Sequence, residues 1–223
     1  MLSIVIPTLN AASTLPAALA ALEGARLARE IVVADGGSRD ATRALAEAAG
    51  ARIFESPPGR GGQLAAGARA ARGDWLLFLH ADTALGAGWA EAAARFMADP
   101  ANRERAAVFR FGLDDSAPGA RRMERLVAWR GRVLGLPYGD QGLLIGRAFY
   151  DRLGGFRALP LMEDVDIVRR IGRKRLVLLD AKATTSAARY RRGGYLLRPL
   201  RNLFCLSLYF AGVPPRLILR VYR

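Results

Sequence analysis

Trp75-Leu76-Leu77-Phe78-Leu79-His80-Ala81-Asp82-Thr83 is the stretch of sequence that decides the fold. Its first five residues are large and apolar without alternation, which is typical of a strand covered on both faces of a sheet. The strand is followed at once by an imidazole and a carboxylate, His80 and Asp82. Ligand sites in open α/β sheets lie just beyond the carboxyl ends of the strands, so these side chains are candidate ligands of a divalent metal. The alternative is a plain turn in which Asp82 caps a following helix through Thr83.

Short predicted strands and helices alternate on both sides of this stretch. Further strands are predicted at 2–6, 30–34, 52–55, 106–111 and 143–145. Helices are predicted at 14–23, 41–49, 63–72, 89–98, 121–134, 149–153 and 163–172, with a flexible basic loop at 57–62. This alternation at short spacing predicts an α/β fold, with a doubly wound, mainly parallel mixed sheet flanked by helices.

The composition restricts the class of protein and its partners. The formal charge of +14 requires an anionic partner, which could be nucleic acid, an anionic membrane surface or a phosphorylated substrate. A hydrophobic fraction of 52% argues against disorder. The single cysteine, Cys205, excludes an internal disulfide framework and fits a reducing compartment. No signal peptide is recognisable at the N-terminus, so a cytoplasmic protein is expected.

The turn after the first strand excludes two common nucleotide-binding folds. Residues 7–10 contain no glycine, whereas the dinucleotide-binding fingerprint and the P-loop both place glycines there. A nucleotide would therefore have to be held by strand ends and by side chains such as Thr8, Asn10, Asp35 and Arg60.

Four blocks of the sequence, in this order, resemble the signature blocks of family 2 glycosyltransferases. They are residues 4–10, 35–42, 73–82 and 163–166, and the resemblance covers roughly residues 1–175. The closer resemblance is to a bacterial subgroup associated with radical-SAM/selenodomain genes, through residues 78–83, 139–142 and 161–166. Each block alone is weak, but four in sequence are specific.

The resemblance implies a GT-A fold that binds a nucleotide-sugar donor, expected to be a UDP-sugar, with Mn²⁺ or Mg²⁺. The Asp-x-Asp motif of the family corresponds here to His80-Ala81-Asp82, so Asp82 is the expected metal ligand and His80 a ligand or a neighbour of one. Gly36 stands where many relatives have a second acidic residue, which leaves the base open. The residues expected at the donor are Pro7, Thr8, Asn10, Asp35, Arg60, Ala81, Asp82 and Arg189.

The same resemblance implies that Asp164 is the general base of an inverting transfer. It would remove the proton of an acceptor hydroxyl, and the acceptor itself is unknown and could be lipid-linked. Asp140, Gln141 and Glu163 are expected on the acceptor or sugar side. Two plainer interpretations stay open: Asp140 and Gln141 could merely satisfy a turn, and acids at 163–166 would also complement a helix dipole.

We expect the chain to consist of a GT-A domain at residues 1–194 and a basic amphipathic helical tail at residues 195–223. No acidic residue follows Asp180. The tail could lie on an anionic membrane, as in a peripheral membrane protein, or pack back on the domain. Its longest uncharged run is too short to span a bilayer.

Two other functions fit part of the sequence. A nucleotidyltransferase acting on a sugar phosphate would also use metal-binding aspartates, but it would normally have a glycine-rich basic loop after the first strand. A basic protein that binds nucleic acid or membrane without catalysis would account for the charge but not for carboxylates at strand ends, and no nucleic-acid reading motif is recognisable, so no specific nucleic-acid partner is expected.

Overall fold

The computed structural model of the chain describes residues 1–134, 137, 139–195 and 197–222. Eight strands form a single mixed sheet in these residues. They are β1 Leu2–Thr8, β2 Arg29–Asp35, β3 Arg52–Glu55, β4 Trp75–Phe78, β5 Thr83–Leu85, β6 Ala106–Leu113, β7 Leu143–Gly146 and β8 Leu176–Thr185.

Ten α-helices connect or flank these strands in the described part of the chain. They are α1 Leu15–Ala20, α2 Thr42–Ala48, α3 Arg60–Ala70, α4 Trp89–Ala98, α5 Pro118–Leu134, α6 Arg147–Arg152, α7 Glu163–Ile171, α8 Ala188–Gly193, α9 Leu197–Phe210 and α10 Pro215–Tyr222. Short 3₁₀ turns cover Pro100–Asn102, Gly139–Gln141 and Arg173–Arg175.

The strand order is β3-β2-β1-β4-β7-β6-β8-β5. Strands β1 to β4 run parallel to one another. Strand β7 runs antiparallel between β4 and β6, and β8 is parallel to β6. The short strand β5 pairs antiparallel with the end of β8. The α/β class and the mainly parallel mixed sheet are therefore confirmed.

Apolar side chains bury both faces of β4, as its unbroken apolar run requires. Leu77 and its neighbours on one face pack with α1 and α4, through residues such as Leu15 and Trp89. Leu76 and Phe78 on the other face pack with α3, α6 and α7. Because both faces are covered, β4 presents polar groups only beyond its end, which places His80 and Asp82 at the rim of the sheet.

Two features of the fold differ from the sequence-based expectation. Strands β5 and β8 were not expected, and residues 60–62 begin α3 instead of lying in a flexible loop. Glycine is unfavourable inside helices, so the Gly61-Gly62 pair indicates a loop when it is read alone. Here Gly61 contacts the backbone of Arg157, and a Cβ atom at that position would clash with the Arg157 carbonyl oxygen. Packing against this segment therefore explains the glycine.

The tail expected at 195–223 contains two helices, α9 and α10. One side of them packs on the domain, where Cys205, Leu206 and Ile218 are buried with Met162 and Val165 around the start of α7. In the described residues, no helix is both long enough and apolar enough to cross a bilayer. The boundary at residue 194 itself stays a prediction.

Candidate active site

The carboxyl ends of β1 and β2 form one rim of the candidate site. Thr8 pairs in register with Asp35 and donates a hydrogen bond from Oγ1 to Asp35 Oδ1 over 2.9 Å. The Asp35 carboxylate also accepts from the Ser38 hydroxyl at 2.5 Å and from the Ser38 and Gly37 amides at 2.8 and 3.1 Å. Burial alone would raise the pKa of Asp35, but these hydrogen bonds outweigh burial and lower it. Asp35 is thus ionised and holds the turn that follows β2.

Gln63 fixes the spacing of these two strand ends, a role that the sequence did not indicate. Its Nε2 donates to the carbonyl oxygens of Thr8 and Ala34 over 2.7 and 2.8 Å, and its Oε1 accepts from the Gly59 amide at 3.2 Å. The side chain is 4% exposed. A lone glutamine on a helix gives no signal in the sequence, because its role depends on the carbonyl groups of Thr8 and Ala34, which are distant in the chain.

The turn after β1 is tied to the turn after β2. The Asn10 amide donates to Ser38 Oγ, and Asn10 Oδ1 accepts from the Arg39 amide, both at 2.9 Å. Asn10 has a φ of 51° and is exposed, whereas Pro7 is buried in β1. Of the predicted donor residues in this rim, Asn10 therefore presents its side chain at the surface, and Pro7 shapes the strand beneath it.

The turn His80-Ala81-Asp82 joins β4 to β5. Its backbone is closed by the Thr83 amide, which donates to the His80 carbonyl at 3.1 Å, and by the Ser186 amide, which donates to the Asp82 carbonyl at 3.0 Å. Ala81 is partly buried and packs on the core. The turn thus stands at the rim beyond β4, as the sequence predicted, but it leads into a strand and not into a helix capped by Asp82.

Gly139 brings this turn next to the start of α7. A Cβ atom on residue 139 would lie 2.6 Å from His80 Nε2 and 3.5 Å from the Asp164 Cβ atom. The Gly139 amide donates to Asp164 Oδ2 over 3.0 Å. The backbone at residue 139 therefore fills the space between the imidazole and the carboxylate, and only glycine allows so close an approach.

Asp164 lies at the amino end of α7 and is partly exposed. Its Oδ1 accepts from the Val165 amide at 2.8 Å, in addition to the bond from Gly139 to Oδ2. Both carboxylate oxygens are thereby oriented by backbone groups. Together with His80, Asp164 lines a small cavity beside the end of β4.

Glu163 is buried and pairs with Arg60. The Arg60 Nε donates to Glu163 Oε1, while Glu163 Oε2 has no hydrogen-bond partner among the described residues. Burial and the charge of Asp164 raise the pKa of Glu163, although Arg60 opposes the shift. Conversely, Glu163 and Asp164 outweigh burial and raise the pKa of Arg60. The guanidinium group of Arg60, which is predicted to contact the donor, therefore already binds Glu163 through its Nε atom.

Asp140 and Gln141 follow Gly139 in the 3₁₀ turn. The Asp140 Oδ1 atom is buried without a partner among the described residues. Burial raises the pKa of Asp140 to about 6, with further contributions from the charges of Asp164 and Asp82 that exceed the opposing effect of Arg130 and Arg60. Asp140 thus lies within electrostatic range of both Asp82 and Asp164.

The turn that holds Asp140 is itself fixed by side chains. Thr185 Oγ1 donates to the Asp140 carbonyl at 3.2 Å and lies 2.9 Å from Thr83 Oγ1. Gln141 Nε2 donates to the Phe109 carbonyl at 3.0 Å. Gln141 thus ties its turn to β6, while its Oε1 atom is buried and has no partner in the described residues.

These residues fit a divalent cation, although no cluster of three ligating side chains occurs in the described part of the chain. Mg²⁺ usually takes one or two carboxylates and completes its shell with water and substrate phosphates. Asp82 and His80 supply such a partial set. Burial is the main cause of the raised pKa of Asp140, the charges of Asp164 and Asp82 add to it, and a bound cation would favour the ionised carboxylate.

The predicted donor residue Arg189 lies in α8, and its side chain is outside the described part of the structure. The neighbouring Tyr190 stacks on Tyr195 with ring centroids 5.7 Å apart. Burial, then the charge of Asp140, raises the pKa of Tyr190 to about 12. The helix therefore borders the turn that carries Asp140.

A mixed α/β sheet with acidic and imidazole side chains beyond the carboxyl ends of its strands is the arrangement of an α/β protein that binds ligands at this rim. Residues 3–146 match the family model described as glycosyl transferase family 2, and the chain belongs to that family. The more specific radical-SAM-associated subgroup stays a prediction. No curated protein sequence matches the chain.

Solved structures of similar fold are distant in sequence. Residues 1–349 of S. aureus TarS are 15% identical, with 99% of this chain and 69% of that chain covered and a TM-score of 0.65. The mannosyltransferase PcManGT from Pyrobaculum calidifontis, in complex with GDP-Man and Mn²⁺, is 17% identical, with 95% of this chain and 63% of that chain covered and a TM-score of 0.68. Glucosyl-3-phosphoglycerate synthase from Mycobacterium tuberculosis, in complex with Mn²⁺, UDP and glucosyl-3-phosphoglycerate, is 19% identical, with 96% of this chain and 81% of that chain covered and a TM-score of 0.56.

We predict that Asp140→Asn stabilises the ligand-free protein more at pH 7.5 than at pH 4.5. A carboxyl group whose pKa is raised from 3.8 to about 6 binds its proton more tightly in the folded state, so the free energy of unfolding falls as the pH rises through this range. Each 1 kcal/mol recovered should raise the melting temperature by about 2–4 °C. Thermal unfolding at the two pH values checks this, with the exposed Asp151→Asn as control. A gain of the same size at both pH values would contradict the assignment.

Proposed function

We propose that the protein transfers a sugar from a nucleoside-diphosphate sugar to an acceptor hydroxyl with inversion of the anomeric centre. The observation that carries this proposal is that Asp140 lies within electrostatic range of both Asp82, which follows β4, and Asp164, which begins α7. Family membership supports sugar transfer over nucleotidyl transfer and over binding without catalysis. A uracil nucleotide is the proposed donor, since TarS is known with UDP-GlcNAc and the mycobacterial synthase with UDP.

Asp164 acts as the general base in this mechanism. Its carboxylate accepts the proton of the acceptor hydroxyl, and the hydroxyl oxygen forms a bond to the anomeric carbon from the face opposite the diphosphate. The bond between that carbon and the phosphate oxygen breaks, and its electron pair leaves with the nucleoside diphosphate. The backbone amides of Gly139 and Val165 hold the carboxylate in one orientation, which meets the geometric need of proton transfer.

The donor lies across the carboxyl ends of β1, β2 and β4 in this proposal. Asp82 and His80 would hold Mn²⁺ or Mg²⁺, and a bound divalent ion would stabilise the charge of the leaving diphosphate. Arg60 is proposed to add a second positive charge at the diphosphate, since its Nε pairs with Glu163 and its side chain is 38% exposed. Arg189 is proposed as a further phosphate contact.

The exposed side chains of the tail support the proposal that the protein binds to an anionic membrane surface. Large apolar side chains on the outer faces of both tail helices are about half-exposed or more: Leu197, Leu200, Leu203, Phe204, Phe210, Leu217 and Val221. Arg216 and Arg220 are exposed beside the last two. Soluble surfaces rarely show so many large apolar groups together, and arginines beside them match anionic lipid headgroups. Packing of the inner face on the domain does not exclude this, since the outer face stays open.

The first test concerns the metal. Asp82→Asn should keep the fold but abolish the Mn²⁺-dependent rise in melting temperature caused by UDP, because it removes a charged ligand from a site with few of them. A ligand present at 100 times its dissociation constant stabilises by about 2.7 kcal/mol, so the loss is measurable by thermal unfolding. His80→Ala should have the smaller effect. A Mn²⁺-dependent shift that survives in the Asp82 variant would contradict the assignment.

The second test concerns the general base. Asp164→Asn should reduce turnover by roughly 10²-fold or more, the usual scale for the loss of a positioned base. The affinity for the nucleotide should hardly change, because the amide can still accept from the Val165 backbone and the residue does not contact the diphosphate. Release of nucleoside diphosphate from the donor, with water as the nucleophile, provides a readout that needs no known acceptor. Release at the normal rate would rule Asp164 out and direct attention to Glu163.

The third test concerns the tail. The protein should sediment with vesicles that contain anionic lipid and be released by salt, because each arginine near such a surface contributes about 1 kcal/mol that salt screens. Substituting Leu200 and Phe204 together by glutamate should abolish sedimentation without loss of thermal stability. Leu126→Glu, which alters an equally exposed leucine on α5, is the matched control. Equal sedimentation of both variants would place the contact elsewhere.

A further inference from the structure

A groove of about 800 Å³ lies between α5 and the open face of strands β6 and β8. It belongs to the side of the sheet that α3, α6 and α7 cover elsewhere. On β8 the side chains alternate, so that Leu179 and Ala181 enter the core while Leu178 points to the groove and is 48% exposed. A half-exposed leucine in the middle of a strand shows that this part of the sheet is left uncovered by the described residues.

The floor of the groove is apolar and its edge is basic. Val108, Leu176 and Leu178 form part of the floor, with Val127 of α5 above them. Five cationic residues and two carboxylates also line it. The carboxylates are occupied, since Asp180 pairs with Arg110 at 2.8 Å and Glu124 pairs with Arg121 at 3.0 Å and Lys182 at 3.2 Å. The lining therefore carries an excess of positive charge around an apolar surface.

The groove adjoins the candidate active site. Val108 lines both the groove and the small cavity beside His80, Gly139 and Asp164. Gln141 lies at the same junction, directly after Asp140, and its buried Oε1 has no partner in the described part of the chain. A hydroxyl group entering from the groove could donate to this oxygen and remove an unfavourable buried acceptor.

We propose that the groove binds the apolar chain of an anionic amphiphile, and that this amphiphile carries the acceptor hydroxyl. The volume is that of a small-molecule site, the floor suits a hydrocarbon chain, and the cations suit a phosphate or carboxylate. The acceptor role rests on the proposed transfer reaction, whereas binding itself does not. Charge selects this occupant over a neutral chain, because five cationic residues against two carboxylates line the described part of the groove.

Equilibrium binding without donor or metal tests the site. Dodecyl phosphate below its micelle concentration should bind with a higher affinity than dodecyl maltoside, as measured by calorimetry. Leu178→Asp should weaken the binding of dodecyl phosphate by about tenfold or more, because it places a carboxylate on the apolar floor. Arg125→Gln, which changes an exposed cation of the edge, should reduce the preference for the phosphate and leave the maltoside unaffected.

Three controls make this result decisive. Leu126→Asp alters the outer face of the same helix and should leave binding unchanged, and melting curves confirm that Leu178→Asp folds. Leu200→Asp alters the tail, which could itself attract amphiphiles. Binding that survives Leu178→Asp, or that is lost only in the tail variant, overturns the proposal. A dimer that Leu178→Asp dissociates, seen by light scattering, overturns it too, since a second copy would then cover the groove.

Donor turnover tests the acceptor role separately. A single-chain lipid that bears a phosphate and free hydroxyls, such as lysophosphatidylglycerol, should raise the release of nucleoside diphosphate above the rate with water. Dodecyl phosphate, which has no alcohol hydroxyl, should not raise it. Leu178→Asp should keep the rate with water and lose the stimulation. Stimulation that persists in this variant overturns the assignment. If the wild-type protein releases no diphosphate at all, the transfer function fails, while the binding experiment still decides whether the groove is a site.

Discussion

The burial of Asp140 near the charges of Asp82 and Asp164 is the constraint on which the rest of the site depends. Burial raises the pKa of Asp140, and the negative charges of Asp164 and Asp82 raise it further. The ionised form of Asp140 is therefore unfavourable in the ligand-free chain, and a bound cation would relieve this cost. A protein with a formal charge of +14 has many arginines that could relieve this repulsion. The carboxylates stay close because the backbone around them is held by other contacts.

The frame that holds them is made of backbone groups and neutral side chains. Gln63 fixes the ends of β1 and β2, Gly139 lets the turn reach between His80 and α7, and Thr185 holds the turn from the side of β8. None of these groups titrates near neutral pH, so the geometry does not depend on the charge state of the site. The ion pair of Arg60 with the buried Glu163 adds a charged contact that links α3 to the start of α7.

The sequence predicted those parts of the fold whose signal is local. Strand β3 and helix α4 begin and end at the residues expected, because Arg52–Glu55 lies between turn-forming glycines and prolines and Trp89–Ala98 has a clear apolar face that ends at Asp99-Pro100. Strand β8 was missed since its outward residues include Leu178 as well as charged groups, so it lacks a clean alternation. The start of α3 was missed because the reason for Gly61 is a contact with Arg157, far away in the chain.

The candidate site followed the same division between local and distant signals. His80, Asp82 and Asp164 could be selected because each directly follows or begins an element with a strong pattern. Their mutual proximity could not be read from spacing, since Gly139 joins them from a third segment. The uncovered face of β6 and β8 also could not be read from the local sequence. Leu178 is an ordinary apolar residue in the sequence, and it forms an exposed apolar surface only because no described helix covers it. Leu178 and the exposed apolar residues of α9 and α10 have the same physical origin, because the described helices leave part of the apolar strand and helix surface uncovered, and exposed apolar surface of this kind marks interaction sites.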